Sequence, residues 1–397
     1  MMANLAMVQE FPAPQEKLHV LTLTPFYPMR EDDAQGCFVA EPLPWLARLG
    51  VVNTVRAVQP FYRGAVFAND SAVPARWMRF FSFPTGWGLS SSGAFLYASL
   101  LSEVRRLHGS HPLHVIHAHS ALPCGHAAWL LSRELGVPFV VTVHGLDAFS
   151  TRQVGGYAGR LSARVSQSVY RSARQVICIS EKVRARVIEG AAGPVRTTVL
   201  YNGVDPQMFS PAGSEAAAAV ILSVGNLIPI KGHELLLRAF AAIQDRFPAP
   251  SLEIIGDGPE RSRLQKLAVD QGIADRVRFL GRQKRNQVVD AMRRATIFAL
   301  PSRYEGLGCV YLEAMSVGRP VIACRGQGIE EVIEQGVNGC LIEADDLPGL
   351  TDTLSKLLRE VQLRRRLGEA AHRTIVQGHT LEAHAAHLFR LYRECQE

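Results

Sequence analysis

Short runs of apolar, β-branched residues recur along the chain, each closed by glycine, proline or a polar loop. Between them lie stretches whose apolar positions repeat at helical spacing. Runs at residues 17–24, 51–58, 114–119, 137–144, 175–180 and 197–200 fit strands buried on both faces. The pattern resumes at 219–224, 252–255, 277–280, 296–300, 320–323 and 340–342. Helical spacing fills the gaps, notably over 124–135, 181–189 and 381–397. Strand–helix–strand alternation demands crossover connections, hence parallel pairing and doubly wound α/β sheets whose ligands gather at the carboxyl ends of the strands. The turn-rich segment 201–211 divides the two sets, which predicts an N-terminal domain over 1–203 and a C-terminal domain over 204–380, followed by a last helix at 381–397.

Composition agrees with two cores: the chain has 397 residues and 47% hydrophobic content. No segment approaches the roughly 18 uninterrupted apolar residues of a membrane span, and residues 1–17 lack a basic lead with a sustained apolar run. The expectation is a cytoplasmic protein. Seven scattered cysteines without a C-x-x-C pair read as reduced thiols. The net charge of +7 is uneven, with 19 Lys+Arg against 12 Asp+Glu in residues 1–200 and 24 against 24 thereafter. All but two of those 19 cations are arginine, the better fork for phosphate oxygens. No basic motif that would read bases is present, so the partner expected for this half is an anionic membrane surface or a lipid-linked phosphate, not nucleic acid. Residues 74–97 crowd Trp77, Phe80, Phe81, Phe83, Trp87, Phe95 and Tyr97 around Arg76 and Arg79, which suits a membrane interface or a lipid acceptor site, and also an ordinary core edge. Peripheral docking at the inner membrane face therefore stays open. Arg160, Arg164, Arg171 and Arg174 fall on about one face if their stretch is helical, a solvated face by default.

The densest chemistry lies at 301–315, where an apolar strand runs into a helix through Glu305-Gly306-Leu307-Gly308. Glycines there let the chain turn sharply and bare the backbone N–H groups of a helix start, which attracts phosphate. Glu313, about 7.5 Å further along the helix axis, is an acceptor for hydroxyls beyond a phosphate, and Glu305 stands at the pocket mouth. That combination suits a nucleotide sugar. The plainer alternative makes Glu305 a helix cap and Glu313 a solvated helix residue. Elsewhere, His119, His144, Gly145 and Asp147 fall at strand carboxyl ends, while His117 and His119 read as histidines hydrogen-bonded into place. Gly36 ends the polar loop after the first strand, before a helix running toward Gly50, and serves either a ligand or simply the turn.

The pattern Pro301-Ser302-x-x-Glu305-Gly306-x-Gly308-x-x-x-x-Glu313-Ala314 resembles the signature of the retaining family-4 glycosyltransferases. That resemblance implies the GT-B fold, two Rossmann-like domains facing a central cleft, with the last helix returning to the first domain. It implies that Glu305 contacts the donor sugar, that the amides of Leu307, Gly308, Cys309 and Val310 hold the diphosphate, and that Glu313 binds the ribose. His144-Gly145 matches the family's histidine at the transferred sugar, Gly36 its loop beside the phosphates, and Arg282 its loop near the base. Residues 225–232 resemble the phosphate loop, with Lys231 present, but Asn226 stands where the family has an arginine and Ile230 where a glutamate is common.

No Asp-x-Asp is present, so no metal is expected and the donor diphosphate is met by Lys231 and the helix start. No cofactor is implied beyond the donor itself, a UDP- or GDP-sugar. There is no G-x-G-x-x-G after the first strand and no P-loop lysine, which disfavours dehydrogenase and P-loop chemistry. The resulting expectation is a retaining, metal-independent hexosyl-type transfer to a glycan or lipid-linked hydroxyl in cell-surface polysaccharide synthesis. A non-catalytic nucleotide-sugar binding scaffold and a GT-B sugar-nucleotide epimerase remain as alternatives, the first favoured by Asn226.

Overall fold

The computed structural model describes residues 17–30, 32–64, 72–84, 88–145, 156–211, 219–247 and 250–397. Asp147 and Trp87, singled out from the sequence, lie outside these. Seven parallel strands form the first sheet: β1 (Leu18–Thr24), β2 (Val51–Pro60), β3 (Ala75–Phe80), β4 (Val115–His119), β5 (Phe139–Val143), β6 (Gln175–Cys178) and β7 (Thr197–Val199). Their order is β3-β2-β1-β4-β5-β6-β7, all parallel. Six more make the second: β8 (Val220–Val224), β9 (Ser251–Ile255), β10 (Val277–Gly281), β11 (Ile297–Ala299), β12 (Val321–Cys324) and β13 (Cys340–Ile342). They run β10-β9-β8-β11-β12-β13, again all parallel. Strand order reverses between β1 and β4 in one sheet and between β8 and β11 in the other, and such switch points are where doubly wound sheets take ligands.

The composition of the strands explains their place. Every residue of β4 and β5 is buried, as parallel strands covered by helices on both faces require. One face of the first sheet is covered by helices Leu89–Ser110, His126–Leu135, Gly156–Ser172 and Glu181–Ala191, through residues such as Leu100, Leu131, Val169 and Val187. On the other face Leu43 and Leu46 of the helix Pro42–Arg48 meet Leu388 and Tyr392 of the C-terminal helix Leu381–Glu394. The final helix therefore lies on the first sheet although it follows the second in sequence. Leu236, Phe240, Leu350 and Leu354 cover one face of the second sheet, and Met292, Tyr311, Leu312 and Ile375 the other.

Two local features differ from the sequence pattern. Strand β3 falls in the aromatic segment, where Arg76 and Arg79 alternate with Trp77, Met78 and Phe80; it is an edge strand, needing only part of its surface apolar. The helix after Gly36 stops at Ala40 and restarts at Pro42, whose missing N–H suits the first turn of the new helix.

Candidate active site

The carboxyl ends of both sheets face each other. Gly36 takes a left-handed φ of 73° at the start of its helix, and a Cβ there would sit 2.4 Å from the backbone of Phe26 and Tyr27. No other residue fits so close an approach. From the end of β5, His144 reaches the same cleft. Its carbonyl oxygen would lie 2.7 Å from a Cβ on Gly306, and Gly306 also touches Gly145. The two glycines let the domains meet here without side chains between them.

Residues 300–308 form the turn after β11. Glu305 is buried, its carboxylate ion-paired with the ammonium of Lys231 and accepting from the Ser302 hydroxyl at 3.1 Å. Its backbone N–H donates to the amide oxygen of buried Gln327 at 3.0 Å. Lys231 comes from the end of the turn after β8, which is fixed by Gly232 packed on the Pro301 carbonyl. Gly308, at φ 83°, starts the helix Cys309–Ser316, whose first-turn amides no side chain caps. Glu305 is therefore not a helix cap. Lys231 and Ser302 both engage the same carboxylate oxygen, Oε1.

Glu313 is 1% exposed, which also removes the solvated-helix reading. Its Oε1 accepts from Arg285 Nη1 at 2.6 Å, and its Oε2 has no partner among the described residues. Burial raises its pKa, an effect that Arg285 opposes. Arg285 in turn donates from Nε to Glu41 Oε1 at 2.8 Å and lies 4.7 Å over the Phe209 ring. Burial acts against its charge, but Glu313, Cys37 and Glu41 outweigh this and hold its pKa well above the usual range. The Arg285 backbone N–H donates to Asp33 Oδ1 at 2.9 Å, and Arg282 is ion-paired with Asp32. Asp32, Asp33 and Glu41 belong to the first domain's opening loop and helices, so these bonds cross the cleft. Arg282 is thus held by that loop.

A second set of contacts closes the other side. Glu331 accepts from the backbone N–H groups of Glu181 and Lys182 at 2.7 and 2.8 Å, and from the Tyr201 hydroxyl at 2.9 Å. Ser180 Oγ donates to the Gly306 carbonyl at 2.6 Å. Asn202 Nδ2 donates to Cys309 Sγ at 3.1 Å.

Asn226 is exposed on the loop after β8, and that loop packs on the next one: Leu227 N–H donates to Asp257 O, and Glu260 N–H to Leu227 O, both at 3.0 Å. Arg261 follows directly, with Nη1 3.7 Å from Asp257 Oδ1. Arg303, the other arginine on a neighbouring turn, is held by both oxygens of Asp345 at 2.8 and 3.0 Å.

Four histidines, His117, His119, His144 and His384, cluster behind the cleft in a cavity also lined by Phe38, Thr142 and Tyr392. His117 bonds the Tyr392 hydroxyl and Thr142 Oγ1, each at 2.7 Å, so both its ring nitrogens are engaged. His119 Nδ1 lies 2.9 Å from His144 Nε2, and Phe38 packs 4.6 Å from the His144 ring. Burial, then His384, holds the His117 pKa at about 3; burial, then His117 and His384, does the same for His144, also to about 3. His144 is therefore a neutral hydrogen-bonding group at pH 7. An imidazole kept neutral by the fold but free to protonate near 6.5 when unfolded costs stability as pH falls from about 6.5 toward 3, by up to ~1.4 kcal/mol per pH unit. The denaturant midpoint should accordingly drop between pH 7 and 5, and His117→Gln should shallow that slope. Equal slopes would take His117 out of this balance.

Sequence reasoning did not single out Arg285, Glu41, Gln327 or Glu331. Arg285 did carry a signal: it opens the helix Arg285–Arg294, where the helix dipole disfavours a cation unless carboxylates surround it.

Comparisons with known proteins bear directly on this arrangement. The family model "Glycosyltransferase Family 4" matches residues 17–208 and "Glycosyl transferases group 1" matches 206–374. The D-inositol 3-phosphate glycosyltransferase of Salinispora arenicola is 32% identical over 308 residues, covering 70% of this chain and 68% of that protein. This chain belongs to the family-4 glycosyltransferases. Similarity extends to the lipopolysaccharide core biosynthesis glycosyltransferase LpsE of Rhizobium meliloti, 30% identical over 240 residues, 59% of this chain and 67% of that one. Among solved structures, Anabaena HepE in complex with UDP-glucose superposes with a TM-score of 0.72 at 20% identity, over 95% of this chain and 100% of that chain. The two Rossmann-like sheets and their cleft are those of the GT-B fold.

Proposed function

We propose that this glycosyltransferase moves a sugar from a UDP- or GDP-sugar to a hydroxyl of a glycan or lipid-linked acceptor, with retention of anomeric configuration and without a bound metal. The buried Lys231–Glu305 pair beside the uncapped start of the Cys309–Ser316 helix carries this reading. Lys231 and the amides of Leu307, Gly308, Cys309 and Val310 meet the diphosphate, Glu305 the sugar hydroxyls and Glu313 the ribose, while neutral His144 offers a hydrogen bond to the transferred sugar from the opposite domain. No side-chain nucleophile is needed. The acceptor oxygen bonds to the anomeric carbon as the carbon–oxygen bond to phosphate breaks, and the acceptor proton passes to the departing phosphate. Charge developing on that phosphate is met by groups already in place, the usual source of such rate enhancement. The LpsE likeness supports a surface-glycan acceptor, and the HepE complex supports a UDP-sugar donor.

Membrane docking of the first domain fits this acceptor. Phe61, Tyr62, Phe81 and Phe83 are about half exposed, Phe81 and Phe83 pack edge-on with Phe95, and Arg79 lies 5.1 Å over the Phe61 ring. Aromatics beside arginine suit an anionic bilayer surface. Among the described residues no helix is long and apolar enough to cross a membrane.

Incubation with UDP-glucose or GDP-mannose, in EDTA, with and without acceptor-bearing membranes, tests the proposal through free nucleotide. Release that needs the membranes and survives chelation is expected. Release without acceptor would indicate an epimerase or hydrolase, and loss with EDTA restored by magnesium or manganese would contradict metal independence.

A further inference from the structure

Arg285 takes no part in the reading above, yet it is the most heavily engaged cation of the cleft. It is bonded to Glu313 at 2.6 Å and to both oxygens of Glu41 at 2.8 and 3.2 Å, with its backbone N–H on Asp33. Glu313 and Arg285 both stand on the second domain, after β11 and β10, whereas Glu41 and Asp33 stand on the first. The Arg285–Glu313 bond therefore persists when the domains part, and the Glu41 and Asp33 bonds are made only when they close. Glu313 itself is shut from solvent in this state, so the cleft must open to admit a nucleotide.

The geometry points to Arg285 as the positioning residue of the ribose subsite. It fixes one oxygen of Glu313, leaves Oε2 as the one acceptor for ribose hydroxyls, and ties that carboxylate to Glu41 when the domains close. This rests on the assignment of Glu313 to the ribose. Three observations carry it. First, Oε2 is a buried carboxylate oxygen with no partner among the described residues, a costly state that a hydroxyl donor would relieve. Second, Arg285 opens its helix, where the helix dipole disfavours a cation and the facing carboxylates offset that cost. Third, the guanidinium reaches Glu313 with one arm and Glu41 with the others, a forked geometry that lysine cannot copy. The groups facing Glu313 are Arg285, Glu41 and Cys309, with Cys37 opposite Arg285. Arg285 is the only cation of that set, so removing it leaves the carboxylate beside Glu41 in a buried site, and protonation of Glu313 moves upward in pH. A protonated Glu313 is a poorer acceptor, so nucleotide binding should then tighten as pH rises.

The test is calorimetric binding of UDP, GDP and their 2′,3′-dideoxy analogues at pH 5.5 to 8 to the full chain and to Arg285→Met, Arg285→Lys, Glu41→Gln and Glu313→Gln. The native protein should prefer the ribonucleotide at least tenfold. Arg285→Met should lose most of that preference and bind the ribonucleotide more tightly as pH rises, Arg285→Lys should restore a flat pH profile with part of the preference, and Glu41→Gln should lower kcat while leaving UDP or GDP affinity within about twofold. Unfolding midpoints measured alongside separate misfolding from loss of the contact, and the Lys variant decides should the Met variant not fold. A native preference kept by Arg285→Met with a flat pH profile overturns the role of Arg285 alone. A native protein that binds neither nucleotide, or a Glu313→Gln variant that keeps the full preference, overturns the ribose assignment and the inference with it.

Discussion

Replacing Lys231 with methionine should lower kcat by about 10²–10³, the usual effect of removing one preorganised group that meets charge on a leaving oxygen. Lys231 is held against Glu305 at the mouth of the Gly308 turn, so its ammonium is in place before a diphosphate arrives. Stability complicates a single variant. The side chains of Lys231 and Glu305 are 20% and 10% exposed, and deleting one partner of a buried pair leaves the other charge uncompensated, at about 3–5 kcal/mol. Glu305→Gln in the same chain removes that charge. The double variant should regain most of the lost unfolding midpoint and none of the turnover. If it recovers turnover as well, Lys231 serves the fold and not the reaction.

The second large effect is expected at Arg261. Where the family pattern has an arginine this chain has Asn226, so another cation must meet the diphosphate, and Arg303 is already taken by both oxygens of Asp345. Arg261 is only loosely engaged: its Nη1 is 3.7 Å from Asp257, its Nη2 reaches Phe279 O at a long 3.5 Å, and its loop packs directly on the loop that carries Asn226. Arg261→Ala should therefore cost about 3–4 kcal/mol of transition-state stabilisation, comparable with losing one preorganised donor, and Asn226→Arg should add little. Arg303→Ala should be nearly silent, since an exposed ion pair is worth about 1 kcal/mol or less. Silence of Arg261→Ala together with a tenfold rise in kcat for Asn226→Arg would show that this chain does without the second cation.

The sheets were legible because parallel strands are buried on both faces and so read as unbroken apolar runs; eleven residues of β4 and β1 need no partner to be recognised as core. Strand β3 was not, because an edge strand that carries Arg76 and Arg79 shows no such run. The residues of the 305–313 turn could be named from spacing, but not the partners that hold them. Lys231 and Glu305 are 74 positions apart, and Arg285 meets Glu41 across 244. Spacing reports what one element presents to one face; it does not report which loops two sheets bring together across a cleft. Glu313 shows the consequence: its place in the helix is visible in the sequence, its burial beneath Arg285 is not.

A crystal structure of the protein with the nucleoside diphosphate it binds tests the central claim most directly. The diphosphate should lie within hydrogen-bond reach, about 3 Å, of Lys231 Nζ and the backbone N–H groups of residues 307–310, with the ribose on Glu313 Oε2 and Arg285 still on Oε1. A nucleotide seated elsewhere, with the Lys231–Glu305 pair undisturbed and the Glu313 oxygen still without a partner, would contradict it.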